Sequence, residues 1–160
     1  MPDLRPAFTT SSSVTGIALP DTRARAVTAS PEVEKVVYDR AFQSLKDLKY
    51  ADASEQFLTF LTQYPGSEYA DNAQNWLGES YWNTGNYELA LEAFQRLIAN
   101  YPDSPKIIGG LWKIGLCHYK LQQWDQARAA LVQLQEQYPD TTHARLARSQ
   151  LSTMKREGHF

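Results

Sequence analysis

The 160-residue sequence holds one cysteine, Cys117, and three histidines, and it has no apolar run approaching the roughly 18 residues that a membrane helix needs. A lone thiol closes no internal disulfide, so the fold must stand without covalent ties and cysteine usage leaves the compartment open. His118, His143 and His159 show no metal-ligand spacing with Cys117 or with carboxylates, so no metal site is expected. Cys117 and His118 are neighbours, and neighbours on a helix point about 100° apart, which argues against a catalytic dyad. A Gly-rich phosphate loop and a Gly-x-Ser-x-Gly elbow are also missing. Glu88 and Glu92 form a one-turn acidic pair of the kind found on solvated helix faces. No catalytic residue and no cofactor is therefore expected, and the chain reads as a non-enzyme. Charge is balanced as well: 16 Lys and Arg against 18 Asp and Glu leave a net charge of −2 with no basic block, which argues against nucleic acid. Met1 to Ala29 contain no signal-peptide core, so no membrane insertion is expected, and an exported form would have lost its signal.

What the sequence does contain is a repeat. Tyr-Pro recurs at Tyr64-Pro65, Tyr101-Pro102 and Tyr138-Pro139, each 37 residues after the last. The same interval relates Tyr50, Tyr87 and Trp124; Ala53, Ala90 and Ala127; and Phe57, Phe94 and Leu131. It also relates the small residues Ala41, Gly78, Gly115 and Ser152, and the hydroxyl residues Ser30, Ser67, Ser104 and Thr141.

Each series suits a helix–turn–helix unit. Ser or Thr after a proline-marked stop is a helix N-cap, with Pro31 and Pro105 in the following first turn, where a missing N–H costs nothing. The small series lets the first helix of each pair approach its partner, and the alanine series does so from the second helix. The closing prolines cannot continue a helix. These signals predict helices at about 31–47, 50–64, 68–84, 87–100, 105–121, 124–138 and 142–156. The fold class expected is all-α: a right-handed α-solenoid of three tetratricopeptide-like helix pairs plus a C-terminal capping helix. Its domain spans 30–156, with units at about 30–66, 67–103 and 104–140 and a cap at 141–156. Arg145, Arg148, Lys155 and Arg156 mark the cap's solvated face. Residues 1–29, with Thr9-Thr10-Ser11-Ser12-Ser13 and scattered prolines, read as a flexible linker, and 157–160 as a short tail.

Leu77-Gly78, Tyr81, Ala90, Phe94 and Pro102 fall at the spacing of the tetratricopeptide signature, as do Ile114-Gly115, Ala127 and Pro139. The ordinary repeat has about 34 residues; the three extra here lie around Gly66-Ser67-Glu68-Tyr69 and Asp103-Ser104-Pro105-Lys106. With Trp76-Leu77-Gly78-Glu79-Ser80-Tyr81-Trp82 and Asn86-Tyr87-Glu88-Leu89-Ala90, this elongated form resembles the C-terminal domain of the Tol-Pal accessory protein, the YbgF/CpoB cell division coordinator family, over roughly residues 31 to 154. The resemblance implies a periplasmic module that binds TolA and links outer-membrane constriction to septal peptidoglycan synthesis by a bifunctional synthase. It also implies trimers formed through an N-terminal coiled coil, whereas no sustained heptad precedes Ser30 and a monomer fits this chain. Elongated repeats also occur in outer-membrane assembly lipoproteins, which would call for a lipidated N-terminal cysteine, absent here. A generic peptide-binding adaptor is the remaining reading. A chaperone-tail clamp is disfavoured, since Tyr38 and Phe42 stand where such clamps place Lys and Asn.

The resemblance also implies a concave groove lined by positions 2, 5, 9, 12 and 13 of each first helix. By register these are Lys35, Tyr38, Phe42, Leu45 and Lys46; Asn72, Asn75, Glu79, Trp82 and Asn83; and Gly109, Trp112, Leu116, Tyr119 and Lys120. Phe42, Leu45 and Leu116 suit packing between units. The expected partner-binding residues are therefore Tyr38, Asn72, Asn75, Glu79, Trp82, Asn83, Trp112, Tyr119 and Lys120, with Trp82 and Trp112 as anchors. Aromatics give apolar area with few torsions to freeze, and amides can pair with an extended backbone. Trp76 and Trp124 fall off this register and are expected to be structural.

Overall fold

The computed structural model describes residues 30–160, and the linker expected at 1–29 lies outside them. Seven helices follow one another: α1 (Pro31–Lys46), α2 (Tyr50–Gln63), α3 (Ala70–Asn83), α4 (Tyr87–Asn100), α5 (Ile107–Lys120), α6 (Trp124–Gln137) and α7 (Thr142–Arg156). Each packs chiefly on the next in sequence, and α1 also touches α3 as α5 touches α7. Contacts confined to neighbours in sequence are the mark of a solenoid, and the fold is all-α as the repeat requires.

The small-residue series has the predicted cause. A Cβ on Gly78 would lie 2.7 Å from the Phe94 ring, and one on Gly115 would lie 2.6 Å from Leu131 Cδ2. Phe94 and Leu131 are fully buried, as are Ala41, Ala53, Ala90 and Ala127, so small and large residues interlock across each pair. Ser152 is the exception. It is exposed, since among the described residues no helix packs on that face of α7.

The hydroxyl series divides. Ser30 and Thr141 cap α1 and α7, their Oγ atoms accepting from the amides of Val33 and Ala144. Ser67 and Ser104 cap no helix, and α3 and α5 start two residues later than the spacing predicts, after Tyr69 and Lys106. These serines instead hold a preceding turn, accepting from the amides of Tyr69 and Lys106. Pro105 thus sits in that turn and not in the first turn of α5. The additional turn ties one unit to the next: the Tyr101 hydroxyl donates to the Pro65 carbonyl at 3.0 Å, and the Ser104 hydroxyl donates to Asp71 Oδ2 at 2.7 Å.

Within each pair the chain reverses through a left-handed residue, at Leu48 (φ 59°), Gly85 (φ 75°) and Gln122 (φ 58°). The amides of Lys49, Asn86 and Gln123 then bond back to the carbonyls of Ser44, Tyr81 and His118, which closes a Schellman motif. Glycine meets this conformation without a steric cost at only one of the three positions.

Candidate partner-binding groove

The nine projected groove residues do not form one surface. Tyr38 is half-buried: its ring stacks on Tyr69 at 5.1 Å and meets the edges of Phe57 and Phe60. Burial raises its phenol pKa above the ordinary range. With Phe42 stacked beside it and Phe42 reaching Trp76 at 5.7 Å, the seam between α1 and α3 is filled with aromatic rings. Tyr38 is thus a packing residue, contrary to its expected place at the binding surface. Asn72 is half-buried on α3, outside the cleft described below.

One unit further along, the seam is open. A cleft of about 360 Å³ lies between α3, α5 and the start of α7, lined by Asn75, Trp76, Glu79, Lys106, Gly109, Trp112, Lys113 and His143, with Pro105 at its edge. Three projected residues meet in it: Asn75, Glu79 and Trp112. Asn75 is 8% exposed, and its amide makes no hydrogen bond to the described residues while its polar atoms keep contact with solvent. The atoms it keeps in contact with solvent face the cleft. Trp76, expected to be structural, also forms part of the wall and carries the Lys106 ammonium 5.2 Å from its ring centroid.

At the other end of the groove the remaining projected residues have neighbours of their own. Lys113 Nζ sits 4.5 Å from the Trp82 ring centroid and 3.3 Å from Glu79 Oε2, so Trp82 lies beneath an ion pair while its edge meets Tyr87. Asn83 is exposed, its amide donating to the Glu79 carbonyl, and Lys120 hangs 5.9 Å from the Tyr87 ring. Tyr119 is held from the far end of the chain. Its hydroxyl donates to Glu157 at 2.7 Å, a bond that raises the phenol pKa, and its ring meets Trp124 edge-on. Trp124 in turn stacks on His159 at 3.7 Å, and Arg128 lies over Phe160. The residues expected to be a plain tail are therefore folded against α5 and α6.

Lys106, Lys113 and His143 were absent from the projection, yet the register does relate them. Tyr69, Lys106 and His143 are 37 apart, as are Trp76 and Lys113, and Asn75 and Trp112. Position 6 of each first helix, together with the residue just before or at its start, completes the cleft. A projection limited to positions 2, 5, 9, 12 and 13 passes over both.

Among the described residues no three His, Cys, Asp or Glu side chains gather as metal ligands, and no helix is long and apolar enough to cross a membrane. Cys117 is fully buried, and burial pushes its thiol up to about 12, so it carries no thiolate at neutral pH. His118 shares a hydrogen bond with Gln123 at the repeat position of Tyr81. A larger hollow lined by Glu68, Asp71, Asp103 and the inserted turns is shallow, and Asp71 there is engaged by Ser104.

Helix pairs in register, glycine-and-alanine seams and a side-chain-lined groove define a tetratricopeptide-type interaction scaffold. The chain belongs to the YfiO family of outer membrane lipoproteins, whose pattern matches residues 31–157. It is also similar to the cell division coordinator CpoB of Pseudomonas putida, 51% identical over 49 residues that make up 31% of this chain and 18% of that protein's length. The chain thus covers a small part of the curated relatives it matches. Among solved structures it resembles the type III secretion translocator chaperone SycD of Yersinia enterocolitica, with a TM-score of 0.70 at 19% identity over 87% of this chain and 94% of that one. The Arabidopsis OM64 tetratricopeptide domain superposes with a TM-score of 0.64 at 11% identity, over 77% of this chain and 97% of that one. The second such domain of human RPAP3, in complex with an HSP70 peptide, gives 0.64 at 17% identity over 78% and 98%. At these identities the likeness is one of fold.

Proposed function

We propose that this chain is a non-enzymatic, periplasmic interaction module of the Tol-Pal system, whose groove takes a segment of TolA and so couples outer-membrane constriction to septal peptidoglycan synthesis. The stretch of 51% identity to a cell division coordinator carries this reading, and the open seam between α3 and α5 supplies a surface for it. The nearest end of the groove, around Trp82 and Lys120, extends that surface. A bifunctional peptidoglycan synthase is the second partner in this scheme.

Calorimetric titration of purified TolA against the chain tests it. Replacing Trp82 and Trp112 together by Ala should weaken binding by about tenfold or more with helix content intact, the scale expected for two aromatic anchors. Absence of binding to the unaltered chain would remove TolA as the partner. A second reading is favoured by the family match across residues 31–157: a scaffold of outer-membrane protein assembly. It predicts that depleting the protein disturbs outer-membrane protein levels before it disturbs septation. The order of those two defects separates the readings.

A further inference from the structure

The cleft between α3, α5 and α7 has three properties that packing does not explain. The first is Gly109. A Cβ built on neighbouring Gly110 would press on Leu97 Cδ2 at 3.1 Å, so that glycine has a packing cause. A Cβ on Gly109 would meet only His143 Nε2, at 3.8 Å, an ordinary contact. A glycine in a helix destabilises it, and here the missing side chain keeps the cleft floor open. The second is Asn75, more than nine-tenths buried with an amide that has no partner in the described residues and lines the cleft. None of its polar atoms is sealed from solvent, so the amide meets water from the cleft and is free to pair with a ligand that displaces that water.

The third is charge. Lys106 has no carboxylate within ion-pair distance among the described residues, only the Trp76 ring. Lys113 is matched by Glu79, the cleft's one acidic wall residue, and His143 stands at the opposite side. The cleft is therefore locally cationic on a chain of net charge −2, which draws an anionic group to this place and not to the surface at large. Trp112, which lines the cleft, supplies apolar area beside it.

We propose that this cleft receives an extended peptide segment carrying an acidic side chain, its carboxylate drawn to Lys106 and Lys113 and its backbone amide paired with Asn75. The proposal rests on the reading of the groove as a partner-binding surface, and specifies where in the groove and with what chemistry.

The test is selection of a random peptide display library on the unaltered chain, followed by calorimetry of the enriched peptides as synthetic, end-capped forms. The enriched sequences should contain Asp or Glu, and changing that residue to its amide should weaken binding by about tenfold, the scale of a charge-assisted hydrogen bond. Gly109→Gln should block binding while holding or raising the melting temperature, since it replaces a helical glycine, so the loss cannot be unfolding. Lys106→Glu should turn the preference towards basic peptides. Enriched peptides that are neutral or basic, or that bind Gly109→Gln undiminished, would overturn the acidic-cleft proposal while leaving the interaction-module reading in place. A chain that enriches no peptide and does not bind TolA would overturn both. Equal binding of a single-stranded oligothymidine would show that the cleft selects charge alone, which also overturns the proposal.

Discussion

Two seams at the same repeat register have opposite characters. Between α1 and α3, Tyr38 and Tyr69 stack and Phe42 reaches Trp76, so the surface is closed by rings. Between α3 and α5, the positions equivalent to Tyr38 and Tyr69 hold Asn75 and Lys106, and the surface opens into a cleft. One backbone arrangement thus forms a ring-filled seam in one place and an open, polar-lined cleft in the other.

The largest difference should appear on truncation. Tyr38→Ala removes a ring that contacts four others and should cost about 2–3 kcal/mol of stability, whereas Asn75→Ala should stay within about 0.5 kcal/mol; urea unfolding measures both. Equal costs would mean that the central seam is packed as the first one is. The two neighbouring glycines sharpen the contrast further. Gly109→Ala should stabilise by about 0.5–1 kcal/mol through helix propensity. Gly110→Ala should lose that gain, since its Cβ forces Leu97 to move, and thermal unfolding compares the pair.

Leu48 and Gly85 offer a smaller version of the comparison at the turns. Leu48 is 69% exposed and held at φ 59°, so Leu48→Gly forfeits little packing. It should stabilise by about 0.5 kcal/mol, the relief of left-handed strain less the glycine's greater unfolded freedom. Glu79→Gln should change stability by less than about 0.5 kcal/mol, as a partly exposed ion pair contributes little. It should also strengthen binding of acidic peptides by leaving Lys113 unmatched. The smallest effect expected is none at all: Cys117 on α5 should resist iodoacetamide in the folded chain at mildly alkaline pH, because the cleft does not reach it. Its thiol is raised, so the stability from keeping it protonated is present below its ordinary value of 9.0 and is lost as pH climbs towards about 12. Rapid labelling of the native chain would show that the open seam admits solvent to the core.

Much of this was legible in advance. The interval of 37 located every helix pair, and the small series marked where the helices of a pair approach closely; that Phe94 and Leu131 are what Gly78 and Gly115 meet came from the structure. Ser67 and Ser104 misled because a hydroxyl before a helix can hold a tight turn as readily as an N-cap, and the inserted residues used that option. Of the projected groove, Asn75, Glu79 and Trp112 line the cleft. Tyr38 and Tyr119 were claimed by Tyr69 and Glu157, residues 31 and 38 positions away in the chain.

The sequence by itself determined the period, the order of helices and the close approaches, because these depend on side-chain volume and turn chemistry acting over a few residues. Only the tertiary structure decided which groove positions are open. Whether a ring faces solvent or another ring depends on what the next helix brings across from 30 or more residues away: Tyr69 onto Tyr38, Lys106 onto Trp76, and nothing onto Gly109 but the edge of His143.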